Sequence, residues 1–310
     1  MDAPVPVVAV VGPTAAGKSG LAVTLAEVLG GEVINTDSMQ LYQGMDIGTA
    51  KLSVHDRRGV PHHLLDLRPP THTVTVAEFQ ELARNAIEDC RDRGRTPVLV
   101  GGSALYVRAV LDRFEFPGTD PAVRARLEAE LEAQGPEALH AKLAARDPQA
   151  AARILSTNGR RIVRALEVLS LTGGSYAAKL PAKEYHYSDT VQLGLDVPWD
   201  QLDARITGRV DKMWRAGFVD EVRRLEAEGL RRRVTASRAI GYAQVLRLLA
   251  GDWTEEQARA ETIAATRRFA RRQMRWFRKD PRVIWLPADA PDLAKRALAA
   301  VSESRSTIAT

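Results

Sequence analysis

Eight residues near the N-terminus constrain the fold more than any other stretch of the chain. Gly12-Pro13-Thr14-Ala15-Ala16-Gly17-Lys18-Ser19 fits the pattern G-x-x-x-x-G-K-[ST], between the β-branched run Val7 to Val11 and a helical pattern from Lys18 to Leu29. The motif needs that setting. Its glycines let successive backbone N–H groups converge on phosphate oxygens, while the helix behind them turns its positive end to the anion. Lys18 supplies a point charge, and the Ser19 hydroxyl is placed to reach a Mg²⁺ ion held by the phosphates. All eight residues are therefore expected to bind phosphate, with Ser19 the metal-facing group.

The rest of the first hundred residues agrees with a strand–loop–helix beginning. Glu32 to Thr36, His63 to Leu67 and Thr96 to Val100 read as further strands, and Val76 to Arg93 has helical apolar spacing through Phe79, Leu82, Ala83, Ala86 and Ile87. Near-continuous apolar strands alternating with helices are the mark of a parallel sheet covered on both faces. From about Pro117 the character changes. Segments 121–134, 136–146 and 159–171 are rich in Ala, Leu, Glu and Arg and contain no strand, before Thr190 to Val197 resumes the sheet. Helices are expected at 199–216, 218–228 and 254–279, then a last strand from Val283 to Leu286 and a frayed tail from Ser302. The predicted fold is α/β: a P-loop NTPase-like parallel sheet flanked by helices, spanning 1–116 and 190–310, with a small all-helical lobe inserted at 117–189.

Composition excludes some classes of function. The longest apolar runs are too short to span a bilayer, and the N-terminus lacks the basic-then-apolar pattern of a signal peptide. A single Cys90, on a helix, permits no internal disulfide and reads as a structural thiol in a reducing compartment, so the expected location is cytoplasmic. Net charge is +5, but residues 201–280 hold 19 Lys/Arg against 11 Asp/Glu, while the remainder is slightly acidic. That asymmetry points to a polyanionic partner or to solvated helix faces near the C-terminal third. The apolar strand before Gly101-Gly102-Ser103 does not end in the carboxylate that a nucleotide kinase would use to hold Mg²⁺; Asp37, after the second strand, is the only well-placed acid.

Asp37-Ser-Met-Gln-Leu-Tyr-Gln-Gly-Met-Asp-Ile-Gly-Thr-Ala-Lys51 closely resembles the corresponding segment of the tRNA dimethylallyltransferases (isopentenyltransferases). The resemblance takes in the phosphate loop, Pro61-His62-His63-Leu64-Leu65-Asp66, Gly101 to Tyr106, Arg160-Arg161-Ile-Val-Arg164-Ala-Leu-Glu-Val, Arg205-Ile-Thr-Gly-Arg209-Val, Ile240-Gly241-Tyr242 and Thr266 to Arg278, nearly the whole chain. It implies transfer of a dimethylallyl group from dimethylallyl diphosphate to the exocyclic N6 of the adenosine 3′ of the anticodon, in tRNAs reading codons that begin with U. The adenine amine is a poor nucleophile, so a carboxylate must take its proton as the C–N bond forms; Asp37 is the expected base. Charge developing on the departing diphosphate needs preorganised donors, expected from the phosphate loop, Lys18, Ser19, Arg209 and the Ser103 hydroxyl, with Arg205 one turn before Arg209. Two positions depart from the family pattern. Ala16 stands where Ser is common before Gly-Lys, and Ala104 puts a methyl where Gly is common, which is expected to alter pocket shape.

The resemblance also implies an anticodon stem-loop as partner, its base extruded from the stack. Asp37, Ser38, Met39, Gln40 and Ser103 would line the base pocket. Arg124, Arg160, Arg161 and Arg164 would meet the RNA from the helical lobe, Arg238 and Tyr242 from the other side. Arg267, Arg271, Arg275 and Arg278 are spaced as one helical stripe suited to phosphates, whereas Phe269, Met274, Trp276 and Phe277 read as the core side of that helix. The six histidines lack ligand spacing with partnering Cys or carboxylates, so Mg²⁺ is the one metal expected, and the protein is expected to act as a monomer. Competing readings are prenyl transfer to AMP, ADP or ATP, a P-loop kinase, and a non-enzymatic RNA-binding module.

Overall fold

The computed structural model describes residues 5–176, 183–232 and 235–308. Six parallel strands form one sheet in the order β3-β2-β4-β1-β5-β6: β1 (Val7–Val11), β2 (Glu32–Asn35), β3 (His62–His63), β4 (Pro97–Gly101), β5 (Thr190–Asp196) and β6 (Val283–Pro287). Register is set by the apolar alternation. Val8 lies opposite Val98 and Val191, and Val10 opposite Val100 and Leu193. Val7, Ala9 and Val11 face one core with α2 (Val76–Asp92), α3 (Ala104–Leu111), α8 (Phe218–Ala227) and α9 (Tyr242–Leu249). Val8 and Val10 face another with α1 (Lys18–Leu29), α7 (Trp199–Arg215) and α11 (Leu293–Ile308). The long α10 (Glu255–Phe277) contributes Phe277 to the first core and Ala270 to the second. The chain runs to one side of β1 for β2 through β4 and to the other for β5 and β6. The switch point lies at the carboxyl end of β1, where open parallel sheets bind their ligands.

Strand and helix limits follow the expectation within a residue or two, with physical reasons where they do not. β3 stops at His63 because Leu64 (φ 61°) and Asp66 (φ 56°) take left-handed backbone that no strand can continue. α11 continues to Ile308, with Ala297, Ala300 and Val301 on the core, and Ala309 and Thr310, the end of the tail expected to fray from Ser302, lie outside the described residues. Three helices, α3, α5 (Pro148–Arg153) and α9, were not anticipated, being too short to show a period.

The inserted unit spans Arg113–Glu184 and not 117–189. Residues 185–189 belong to the sheet unit. Tyr185 bridges Asp112, the Tyr185 hydroxyl accepts from Gln192 Nε2 at 2.7 Å, Tyr187 is in the first core, and Asp189 pairs with Arg91 at 2.9 Å. The insert packs α4 (Pro121–Arg146), α5 and α6 (Gly159–Thr172) around Leu127, Leu139, Leu143, Ile162 and Leu166. Gly135, with φ 80° and ψ 167°, breaks α4 where the sequence places the boundary between 121–134 and 136–146.

Candidate active site

Because all six strands are parallel, the loops after β1, β2 and β4 emerge on one edge of the sheet and gather the polar groups of three separate segments. The loop after β1 has the alternating backbone of an anion nest, with Ala15 at φ 63° and Gly17 at φ 93° directly before α1. Lys18 Nζ donates to the Pro13 carbonyl at 2.6 Å, across the loop. Burial, and next the positive charge of Arg209, push the Lys18 amine down to about 7, while Asp37 pulls the other way. Arg209, on α7, donates from Nη1 to Thr14 Oγ1 at 3.2 Å and from Nη2 to the Thr49 carbonyl at 3.1 Å. Its pKa too is lowered by burial and supported by Asp37. Two cations and one carboxylate thus face one another at the mouth of the loop. Arg205, one turn earlier, points to solvent.

Asp37 is held by its neighbours. Buried Asn35, the last residue of β2, accepts the Asp37 N–H at 2.9 Å and donates Nδ2 to the carbonyls of Asp37 (2.9 Å) and Leu64 (3.0 Å). The left-handed turn at Leu64 is what brings that carbonyl within reach. Asp37 Oδ1 accepts the Met39 N–H at 3.0 Å, and Oδ2 has no partner among the described residues. One carboxylate oxygen is anchored and the other is available to take a proton. Gln40 Nε2 donates to the Thr49 carbonyl at 3.1 Å, leaving its carbonyl end for a ligand. Ser19, Asn35 and Gln40 line one small cavity with His62. Ser38 contacts Tyr106, whose hydroxyl burial holds above the usual phenol range. Met39 packs on the first core, and Ser103 stands half-buried at the start of α3. Ala16 is buried in the second core, and Ala104 packs, partly buried, against the first.

Several expected RNA contacts are spent within the protein. Tyr242 is fully buried and donates to Glu221 Oε1 at 2.6 Å, so it cannot meet RNA. Arg124 and Arg164 both pair with buried Glu167, and Arg164 also donates to the Pro117 and Gly118 carbonyls, which makes them the internal ties of the helical unit. Arg160 and Arg161 are exposed on the same helix. The stripe on α10 is divided. Arg267 donates to Thr207 Oγ1 and Arg271 pairs with Asp203, both fastening α10 to α7, and Arg278 pairs with Asp196. Arg275, and Arg238 on the 236–238 turn, are exposed and make no ion pair among the described residues. Trp276, read as core, is 43% exposed beneath Arg108.

The histidine reading also changes. His63 Nε2 lies 2.6 Å from Glu32 Oε2, and Cys90 Sγ lies 3.6 Å from the same oxygen, so a Cys and a carboxylate do meet a histidine in space. Arg93 already neutralises both Glu32 oxygens, and burial followed by Glu32 pushes the Cys90 thiol up to about 12. The group lies at the N-terminal end of β2, away from the phosphate loop, and is a charge-balanced structural network.

Two residues went unnoticed in the sequence. Buried Glu221 accepts the N–H groups of Asp46 (3.1 Å), Ile47 (2.7 Å) and Gly48 (3.1 Å), fixing the turn that presents the Thr49 carbonyl to Arg209 and Gln40. Gln273 on α10 accepts the Thr14 N–H and donates to the Gly102 carbonyl, each at 2.9 Å. Both are polar residues inside an apolar helical stripe, and that is the signal by which they could have been found.

Residues 40–280 match the family model described as IPP transferase. A tRNA dimethylallyltransferase from Thermobifida fusca (strain YX) is 64% identical over 302 residues, covering 96% of this chain and 94% of that protein. Another, from Nocardioides sp. (strain ATCC BAA-499 / JS614), is 62% identical and covers 96% of each. The full-length tRNA isopentenylpyrophosphate transferase from Bacillus halodurans superposes with a TM-score of 0.73 at 39% identity, over 98% of this chain and 99% of that one. A eukaryotic dimethylallyltransferase acting on tRNA gives a TM-score of 0.86 at 26% identity, over 97% of this chain and 79% of that one.

Proposed function

The chain belongs to the IPP transferase family, and from that premise we propose that it transfers the dimethylallyl group of dimethylallyl diphosphate to N6 of the adenosine 3′ of the anticodon in tRNA. The observation that carries this reading is the free Oδ2 of Asp37, held on an anchored side chain beside Lys18 and Arg209 at the mouth of the phosphate loop.

The donor's diphosphate sits in the nest formed by Gly12 to Ser19. Lys18 and Arg209 take up the negative charge that grows on it as the C1–O bond breaks. The adenine N6 lone pair forms the new bond to C1, and the N6 proton passes to Asp37 Oδ2. Gln40 and Ser38 flank the base, and Ser103 offers a hydroxyl from the loop after β4. A Mg²⁺ ion accompanying the diphosphate would find one protein ligand, the Ser19 hydroxyl, and would supply charge neutralisation of the leaving group. The fit is that of a metal brought by its phosphates, since no carboxylate follows β4. Among the described residues no helix is long and apolar enough to cross a membrane. RNA contacts fall to Arg160, Arg161, Arg238 and Arg275.

The test is transfer of label from dimethylallyl diphosphate to unmodified tRNA and to AMP, for wild type and Asp37→Asn. The expected outcome is label in tRNA only, with a loss of about 10²- to 10⁴-fold in the variant while tRNA affinity is kept. Label in AMP alone would move the protein to mononucleotide prenylation, and an Asp37→Asn variant as fast as wild type would remove the base.

A further inference from the structure

Gln273 makes two hydrogen bonds that connect separate halves of the site. It is 7% exposed, on the inner side of α10 among buried Ala270, Met274 and Phe277. Its Oε1 accepts the N–H of Thr14, in the loop after β1, and its Nε2 donates to the carbonyl of Gly102, in the loop after β4. Both partners are backbone groups with fixed polarity, so the amide has one workable orientation: a flipped amide would set donor against donor and acceptor against acceptor.

Each partner is one step from a group assigned to the reaction. The Thr14 side chain receives Arg209 Nη1, and Gly102 precedes Ser103. The approach is close enough to demand glycine. A Cβ at position 102 would lie 2.2 Å from Gln273 Nε2 and 3.0 Å from the Gly12 carbonyl oxygen. Arg209 and Ser103 come from elements far apart in sequence, and α10 supplies a side chain, Gln273, that spans the loops after β1 and β4.

We propose that Gln273 is a positioning residue of the transfer reaction. It sets the register of the phosphate loop against the Gly102-Ser103 loop, so that Arg209 and Ser103 face the same diphosphate. It touches neither substrate. Because α10 also carries Arg275, the residue that registers the donor site stands on a helix whose outer side meets the acceptor RNA. This role rests on the prenyl-transfer reading above.

The experiment uses the full chain with Gln273→Met and Gln273→Glu, alone and in an Arg209→Ala background. Initial rates are measured with dimethylallyl diphosphate and tRNA, normalised to active sites, alongside thermal melts. Misplacement of the loops predicts a fall in kcat of up to about 10²-fold, with KM for tRNA changed less than about threefold. In the Arg209→Ala background the same substitutions should cost less than in the wild type, since part of their effect acts through Thr14 and Arg209. Gln273→Glu keeps the shape and the acceptor for Thr14 but, when ionised, sets an acceptor against the Gly102 carbonyl, and the thermal melts identify which of the two variants is folded. Either folded variant retaining wild-type kcat per active site would overturn the role, as would full additivity with Arg209→Ala. A wild type that transfers no label overturns the prenyl-transfer reading itself, and this role with it.

Discussion

Single residues carry most of what the site can do, and Lys18 is the one whose behaviour depends on pH. Burial and Arg209 push the Lys18 amine down to about 7, against 10.5 for an exposed lysine. Between those values the unfolded chain holds a proton that the folded chain lacks, so Lys18 makes the protein gain stability as pH rises from about 7 toward 10.5. A diphosphate reverses the balance by favouring the charged amine. Donor binding near pH 8 should therefore take up close to one proton, and affinity should fall as pH climbs above 7. Calorimetry in buffers of different ionisation enthalpy would measure the uptake, which should vanish in Lys18→Met. The placement of the phosphate loop between β1 and α1, and of Asp37 just after β2, was legible from sequence because each is set by a short local stretch. Tyr242 was not: an aromatic with a polar tip reads alike whether it meets RNA or a buried carboxylate, and only the fold places it on Glu221. Arg124 and Arg164 were misread for the same reason, because the Glu167 that absorbs them shows its burial only once α6 is packed.

At the scale of elements, α8 works as a clamp. Its Glu221 receives three backbone N–H groups of one turn and the Tyr242 hydroxyl of α9, so every lone pair of a buried carboxylate is used. The turn is tightly enclosed: a Cβ at Gly48 would come within 2.3 Å of Phe218. Glu221→Gln would aim an NH₂ group at backbone donors, and should cost about 1–3 kcal/mol of stability, read as a lower denaturant midpoint. Tyr242→Phe should cost less, about 1 kcal/mol. Because the turn presents the Thr49 carbonyl to Arg209, Glu221→Gln should also slow transfer while leaving Asp37 in place. The five strands other than β3 were legible because apolar runs signal their own ends, whereas the His-His pair of β3 carries no such run and the left-handed backbone that stops it at Leu64 shows only in the fold. The short helices α3, α5 and α9 were hidden because one or two turns are too brief for a period to show.

For the whole molecule the relevant quantity is charge left unpaired. A count over 201–280 overstates it, since Arg267, Arg271 and Arg278 are bound to α7 or β5. Arg160, Arg161, Arg238 and Arg275 remain exposed, and each Arg→Ala change there should weaken tRNA binding and lower the slope of log K against log salt by about 0.7–0.9. The same change at Arg267, or Tyr242→Phe, should leave the slope unaltered. The inserted lobe was legible as a change of texture, from β-branched to Ala-, Leu- and Glu-rich. Its limits were not, because nothing local says that residues 185–189 return to the sheet. That return has a consequence of its own. Asp112 and Tyr185 are bridged backbone to backbone, with the His186 N–H donating to the Leu111 carbonyl at 2.7 Å. The chain leaves and comes back through a single doorway. Among the described residues no strand of the sheet lies within Arg113–Glu184, so the order in which the strands are wired is indifferent to how long a chain is let out between the two sides of that doorway.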